Sequence, residues 1–475
     1  MQGQKITIAG EQVAPKLTSR FVGRANYFPF FLAAAASALL PVQSRSGDAQ
    51  KTPQQVTLEA EIRPDQNSEG GQIVNVKELG AAGDGVTNDT GVFNKALAIC
   101  AVHGGTCLVP KGTYLISASG ITSPVRSGVH LMGEGRGVSI LKIAGMPSHP
   151  FLICNGNNWS VQHLTFDMQG YVPSSNLTCL HCLGDNWRVA NCSIIGIGRF
   201  GITYGAGTNW WIEGNFISAT APTVTNHAIQ GFGESGLSQY GHIIHNVIYG
   251  GPVILAGQDL VVSGNQVNGS RGGTGIGSEA RLHTKRLNIT NNICTGGRGF
   301  DGYCWISGME LWAPDGVIAN NICYDNDGTG LSVGGKNSVV RANYCFNNGA
   351  GAGGFGIWAR WQSAIYNASG SIFVGNTATD TRYPKSTMTQ TYGYFEQRGG
   401  LMRIRHMGNN YDGNKGGPTS YNLYGQPNVT EIQGNHAIRM RILSALKNKI
   451  EALPDAKDID MPDNARRSLR EYLAR

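Results

Sequence analysis

From about residue 185 onward, apolar and polar positions alternate in short bursts that each end on an asparagine. The phrase returns as RVANCSI (188–194), WIEGNFI (211–217), IIHNVI (243–248), VVSGNQV (261–267), NITNNIC (288–294), VIANNIC (317–323), VVRANYC (339–345), IFVGNTA (372–378) and, more loosely, EIQGNHA (431–437). A period of two belongs to a strand with one buried face, and an asparagine after it marks a bend. Asn215, Asn246, Asn265, Asn292, Asn321, Asn343 and Asn376 stand 19 to 33 residues apart, the spacing of a solenoid, a propeller or an array. After a glycine-rich stretch a second strand follows the bend: GITYGAG (201–207), AIQGFGE (228–234), GIGSEAR (275–281), GMELWAP (308–314), GLSVGGK (330–336) and GIWARWQ (356–362). Two or three short strands per repeat leave no room for crossover helices, and no WD or kelch signature supports a propeller. The pattern predicts an all-β fold, a single-stranded parallel β-helix. In stacked rungs the asparagines satisfy one another's amides, and Cys294, Cys323 and Cys345 form a column of small buried hydrophobes rather than a redox centre.

The ends read differently. Val74-Asn75-Val76 reads as a strand, Gly83-Asp84-Gly85 as a turn, and Asp89 as the N-cap of a capping helix that buries Val92, Phe93, Ala96, Leu97 and Ile99 and stops at Gly104-Gly105. Residues 106–110, 111–116 and 127–135 supply the first rungs. At the other end Ile438, Ile442, Leu446, Ile450 and Leu453 recur at helical spacing, predicting short C-terminal helices that cover the solenoid. Ahead of the body, residues 28–42 are apolar or small, follow Arg20 and Arg24, and contain Ala36-Ser37-Ala38. The run is shorter than the ~20 residues of a membrane span and fits an export signal, with an uncleaved anchor and a disordered leader as the alternatives. The expected division is a signal-like leader (1–45), a linker (46–70), the β-helix domain (71–437) and a helical cap or tail (438–475).

Composition sharpens this picture. Glycine supplies 67 of 475 residues, about twice the usual ~7%, while 41% hydrophobic and 15% charged residues exclude a disordered chain. The net charge of +7 sits in the ends. Residues 51–437 carry 24 basic against 23 acidic side chains, so the body has no field that would steer nucleic acid. All ten cysteines lie between 100 and 345. Export would permit disulfides, Cys100 with Cys107 first and Cys154, Cys179 and Cys182 next. The single C-x-x-C at Cys179–Cys182 has no second pair, so no metal is expected there.

The run LGAAGDGVTNDTGVFNKALAICAVHGGTCLVPKGTYLI (79–116), with SGVHLMGEG after it, closely resembles the opening of the pectate-lyase-like superfamily. With the repeats, the resemblance covers about 70–437. It implies a right-handed parallel β-helix, shared by polygalacturonases, pectate lyases, fructan-cyclising transferases and phage tailspikes, and one fold carries many functions. The chain has no adjacent Asp-Asp, no Gly-His-Gly and no R-I-K of the polygalacturonase type. His242 stands in Tyr-Gly-His-Ile instead. The R-x-P-x-x-R of the calcium-dependent lyases is missing too, and Tyr383-Pro384-Lys385 does not replace it. No subfamily's catalytic residues carry over.

Geometry must then locate the chemistry. With Ile202, Ile229, Ile276, Met309, Leu331 and Ile357 pointing inward, a period of two sends Thr203, Gln230, Gly277, Glu310, Ser332 and Trp358 outward. Two residues further runs a second outward column: Gly205, Phe232, Glu279, Trp312, Gly334 and Arg360. Glu279 and Glu310 fall on neighbouring rungs, about 8 Å apart at Cα, within reach of the ~5–9.5 Å carboxylate separations of glycosidases. The pair is the first catalytic candidate, with Asp301 and Asp315 next. Trp312, Trp358 and Trp361 are placed to stack on sugars, and Arg281 and Arg360 to hold a hydroxyl or carboxylate. The bland alternative is a solvated edge, with Trp312 and Trp358 packed under loops 296–306 and 379–392. A one-residue slip would turn Glu310 inward. His242, His245 and His283 read as ladder or surface residues, although His283 beside Arg281 and Lys285 suits a lyase. Asp325 and Asp327 in YDNDGTG resemble part of a calcium loop, yet their spacing reads as a turn, so no cofactor is expected.

Three functions stay open: an exported carbohydrate-active enzyme that cleaves or rearranges glycosidic bonds of a polysaccharide, a lyase on a uronate polymer, and a non-catalytic glycan-binding or tailspike-like β-helix. The near-neutral body favours the first over the second, and the leader favours an enzyme over a spike. The expected partner is a polysaccharide. Neither nucleic acid nor an integral membrane span is expected, and a homo-oligomer is compatible with the pattern.

Overall fold

A computed structural model describes residues 71–433, except 148, 172–177, 220–225, 233–237, 271–273, 279–283, 300–306, 352–353, 398–402 and 420–428. The leader, the linker, the tail, Glu279, Arg281, His283 and Asp301 lie outside the described residues. So does Asn435.

Three parallel sheets run the length of the body, with 14, 12 and 12 described strands, termed here the A, B and C sheets. One rung shows the path. The chain leaves the C sheet at Thr178–Leu183, crosses the A sheet at Arg188–Ala190 and the B sheet at Ser193–Ile197, and re-enters the C sheet at Phe200–Tyr204. Every pairing is parallel and to the next rung, which makes the fold a right-handed parallel β-helix with three strands per turn.

The corner between the A and B sheets is tight. Its second residue is the repeating asparagine, which is buried at every rung from Asn215 to Asn376. Asn292 shows the bonding: Nδ2 donates to Asn321 Oδ1 (3.0 Å) and to Val262 O (2.8 Å), and the backbone N–H reaches the same Oδ1 at 3.0 Å. One amide thus satisfies polar groups of two rungs, which a buried bend requires. The ladder opens where Asn215 Oδ1 accepts from the Cys192 N–H at 2.9 Å, so Cys192 and not Asn191 holds that column. It continues to Asn409, which accepts from Asn376 at 2.9 Å. A second ladder, Asn326–Asn348–Gln390–Asn414, closes the corner between the B and C sheets.

The core follows the period of two. The inward residues Ile202, Ile229, Val253, Ile276, Met309, Leu331 and Ile357 are fully buried, and full burial of each such side chain is worth about 1.5–3 kcal/mol. Cys294, Cys323 and Cys345 stand in register across adjacent B-sheet strands. The nine described cysteines are buried free thiols, so the expected Cys100–Cys107 disulfide and its alternatives are not formed. Trp159, Trp187 and Trp210 form a further inward stack at 5.0 and 5.1 Å.

The first turn is capped by the helix Thr90–His103, which buries Phe93, Ala96, Leu97 and Cys100 and half-buries Val92 and Ile99. Asp89 is not a side-chain N-cap. Its carboxylate turns back to accept from the N–H groups of Ala82 (2.8 Å) and Gly83 (3.1 Å), fastening the preceding turn, while Asn88 Oδ1 accepts from Thr90 N–H at 3.0 Å.

Candidate functional site

Only two residues separate the A and B strands at most rungs. The C sheet is instead flanked by variable connections on both sides, such as 380–389 before it and 360–371 after it. Long connections on a rigid frame are where sites are built. The first of these is anchored by Asp380, whose buried carboxylate takes Arg382 in a fork (2.8 and 2.6 Å) and the N–H groups of Thr389 (2.8 Å) and Gln390 (2.9 Å).

The outward column of the C sheet follows from the register: His181, Thr203, Gln230, Ile254, Gly277, Glu310, Ser332, Trp358 and Phe395 on successive rungs. Glu310 therefore points outward as the period predicted. The strand Val253–Leu255, with Pro252 where the repeats at 201, 275, 308, 330 and 356 have glycine, adds a rung that the glycine pattern does not show.

Glu310 is clasped. Its Oε1 pairs with Arg360 Nη1 and accepts from Trp312 Nε1 at 3.1 Å. The Arg360 guanidinium lies 4.4 Å from the Trp312 ring and 4.5 Å from the Trp358 ring, a cation held between two aromatic faces. Burial pushes the Arg360 guanidinium down in pKa, and the Glu310 charge opposes that shift. Beyond Trp358 the aromatic surface continues with Phe395 and Phe355, stacked on each other at 4.0 Å, and Tyr392.

The arrangement corrects several expectations. Trp312 and Trp358 are only 8% and 7% exposed, so their faces serve Arg360 and are not open sugar platforms. Trp361 packs against the core. Asp315 is a corner residue at φ 59°, aligned with Asp259, Arg286 and Asn337 in the same left-handed conformation, and it accepts from Asn337 Nδ2 at 3.2 Å. That position demands a turn former, which explains the aspartate without catalysis. The outward residues Thr203, Gln230 and Ser332 are buried despite pointing away from the core. Asp327 pairs with Arg298 at 3.2 Å and accepts from Gly299 N–H at 3.0 Å, and Asp325 is a turn residue at φ 53°. Among the described residues no cluster of His, Cys, Asp or Glu is arranged for a metal. His242 stacks on Trp211 at 5.1 Å on the A sheet and His245 sits at an A–B corner, both away from the C sheet.

A second group on the same sheet was not singled out from the sequence. His227 Nδ1 meets Gln230 Oε1, its ring stands edge-on to Phe200 at 5.4 Å, and Arg199 lies 5.3 Å from the Phe200 ring. The available signal was Gln230 itself, a buried-column polar residue three positions after a histidine.

Comparison with known proteins agrees with this fold. The family model for rhamnogalacturonase A/epimerase, pectate lyase-like proteins matches residues 73–297. The match takes in just under half of the chain, and the fold throughout the described residues is the right-handed parallel β-helix. Among curated proteins it is 32% identical over 272 residues to the SPbeta prophage-derived uncharacterized protein YomE of Bacillus subtilis (strain 168), covering 51% of this chain and 37% of that one. It is 39% identical over 74 residues to mannuronan C5-epimerase AlgE2 of Azotobacter vinelandii, covering 14% of this chain and 7% of that one. The chain thus spans well under half the length of these relatives. The A-module of Azotobacter vinelandii mannuronan C-5 epimerase AlgE4 superposes with a TM-score of 0.58 at 19% identity, covering 76% of this chain and all of that module. That likeness is one of fold.

Proposed function

We propose that this pectate-lyase-like chain binds a polysaccharide along the C sheet and processes it there, after export directed by its leader. The observation that carries the reading is the clasp of Glu310 by Arg360 and Trp312 on the sheet flanked by variable connections, continued by the half-buried aromatic rings of Phe355 and Phe395. Aromatic rings suit the apolar faces of sugars, and a charge-assisted pair holds its geometry without reorganising when substrate arrives. In this reading Glu310, with both donors on Oε1, acts as the accepting carboxylate of a glycosidase-like pair. Glu279 remains its proposed partner in the pair. Phe355, Phe395 and Tyr392 take over the stacking role first given to Trp312 and Trp358.

The relatives support a second reading, action on a uronate polymer, because the AlgE2 relative is named for mannuronan. Incubation with a panel of neutral and uronate polysaccharides separates the two. Reducing ends without ultraviolet absorbance of unsaturated ends indicate hydrolysis, and unsaturation indicates elimination. Glu310→Gln is expected to lower turnover by about 10²-fold or more. Undiminished turnover would remove Glu310 from the site.

A further inference from the structure

We infer that the cleft around Lys415, at the corner between the B and C sheets, is a subsite for a negatively charged sugar unit, a uronate or a sulfated residue, several units from the reacting bond. The inference deepens the polysaccharide reading and rests on it. The C sheet is irregular in this region. Gly354 faces Gln390 and Phe355 faces Tyr392, so Thr391 is an extra residue in the strand Gln390–Glu396. A bulge of this kind re-aims side chains, and such bulges gather beside sites. This one lies where the connection 380–389 returns to the sheet. Thr391, with Met388 and Thr389 of that return, forms one wall of an open cavity of about 620 Å³, and the corners at 349–351 and 415–416 form the others. The size is that of a small-ligand site.

The polar groups of the cleft differ in what they have left to offer. Thr389 Oγ1 accepts from Arg382 Nη2 (2.5 Å) and donates to Asn348 O (2.7 Å), so it braces the wall. Arg382 is itself matched by Asp380. Lys415 is exposed, and among the described residues its ammonium meets no carboxylate. Thr391 is half-buried, and its hydroxyl has no partner among the described residues. No acidic side chain lines the cavity. An unmatched ammonium, a free hydroxyl and the Met388 thioether suit one anionic sugar: a charge-assisted bond, a hydroxyl contact and an apolar surface for the ring. Position joins the cleft to the proposed site. A Cβ on Gly416 would lie 3.0 Å from the Tyr392 ring, so that corner packs on Tyr392. Tyr392 lies 6.3 Å from Phe355, and Phe355 stands edge-on to Trp358, which flanks Arg360. The strand Gln390–Glu396 is three rungs beyond Glu310, about 14 Å along the axis. Lys415 thus reads a charge away from the reacting unit, and the spacing of charges along the polymer selects which bond reaches Glu310.

Methionine labelled with 13C at its methyl reports the cleft directly, with the Met388 signal assigned by its loss in Met388→Leu. Three hexasaccharides are titrated: mannuronate, its carboxyl-reduced neutral counterpart, and that counterpart after sulfation. At least one anionic hexamer should shift the Met388 signal, and the one that does so identifies the carboxylate or the sulfate ester as the recognised group. The neutral hexamer should leave the signal in place. Lys415→Gln, an exposed substitution that spares the fold, should weaken the anionic hexamer about fivefold and flatten the dependence of its affinity on salt. Lys415→Arg should bind within about twofold of wild type. A Met388 signal unmoved by both anionic hexamers overturns the inference, as does an equal shift with the neutral one, or Lys415→Gln binding as tightly as wild type. If the polysaccharide panel is still processed in those cases, the polysaccharide reading stands without this subsite. Inertness toward the whole panel, with no hexamer bound, sinks both.

Discussion

His406 and Glu396 are buried titratable side chains in the C-terminal rungs, and their responses to pH oppose each other. His406, in the strand Ile404–Met407, follows Phe373 in the inward column of the A sheet and stacks on it at 5.2 Å, with the Tyr394 ring edge-on at 4.6 Å. It is fully buried, and neither ring nitrogen has a hydrogen-bond partner among the described residues. Burial pushes its pKa down from 6.5 to about 3. The unfolded chain takes up a proton below 6.5 that the folded chain refuses, so this stability is present above pH 6.5 and is lost as pH falls toward 3. Glu396 is 7% exposed, with Tyr394 Oη 3.5 Å from its Oε2. Burial pushes its carboxyl up from 4.5 to about 7, against the Tyr394 bond. Its contribution is present below pH 4.5 and is lost as pH rises to about 7. Between pH 4.5 and 6.5 both groups act, each at about 1.4 kcal/mol per unit, or about 3 kcal/mol across the window, with opposite sign.

The wild-type C-terminal rungs should therefore show nearly flat stability across that window. Glu396→Gln leaves His406 alone, and stability should rise with pH by about 3 kcal/mol. His406→Phe, which extends the Phe373 stack, leaves Glu396 alone, and stability should fall by a similar amount. Hydrogen-exchange protection of amides in Ile372–Val374 and Ile404–Met407 reports these rungs locally, which suits a solenoid whose units open separately. A change of about 100-fold in protection, in opposite directions for the two variants, is expected. Profiles superimposable on the wild type would refute the reasoning.

Two further outcomes follow from the packing. Asn321→Ala removes the Oδ1 that accepts from Asn292 N–H and Nδ2 at 3.0 Å, and the Nδ2 that donates to Ile289 O (2.9 Å) and Asn343 Oδ1 (3.0 Å). Orphaning those buried groups should cost about 3–5 kcal/mol in urea unfolding, and a loss under about 1 kcal/mol would show that the ladder is not needed. Gly334→Ala would set a Cβ 2.1 Å from the Trp312 ring; displacement of Trp312 should change tryptophan fluorescence and weaken polysaccharide binding about tenfold or more, whereas unchanged fluorescence and affinity would refute a role for the clasp.

The fold was legible because both of its signals are local. The period of two and the asparagine at each bend lie within seven residues of each other, and they placed the ladder from Asn215 to Asn376. Asn409 was missed because His406 stands in an inward position where every earlier phrase carries an aliphatic or aromatic residue. The Trp159–Trp187–Trp210 stack was legible in principle, since each tryptophan follows an asparagine at positive φ, namely Asn158, Asn186 and Asn209.

The site was legible only as far as direction. Parity sent Glu310, Trp358 and Arg360 outward, and the register agrees. What parity cannot give is which neighbours meet, because that depends on the side chain lying between them. Glu310 was paired with Glu279, one rung back. Among the described residues its partners are Trp312 on its own strand end and Arg360, fifty residues on and two rungs forward. Arg360 can reach that far because the intervening position of its column is Gly334, where the Trp312 ring takes the space a side chain would fill. A side chain there would separate the cation from both ring and carboxylate. The glycine of the second outward column is thus the residue that turns two outward columns into one clasp, and the same contact is why Trp312 is buried and not open to sugar.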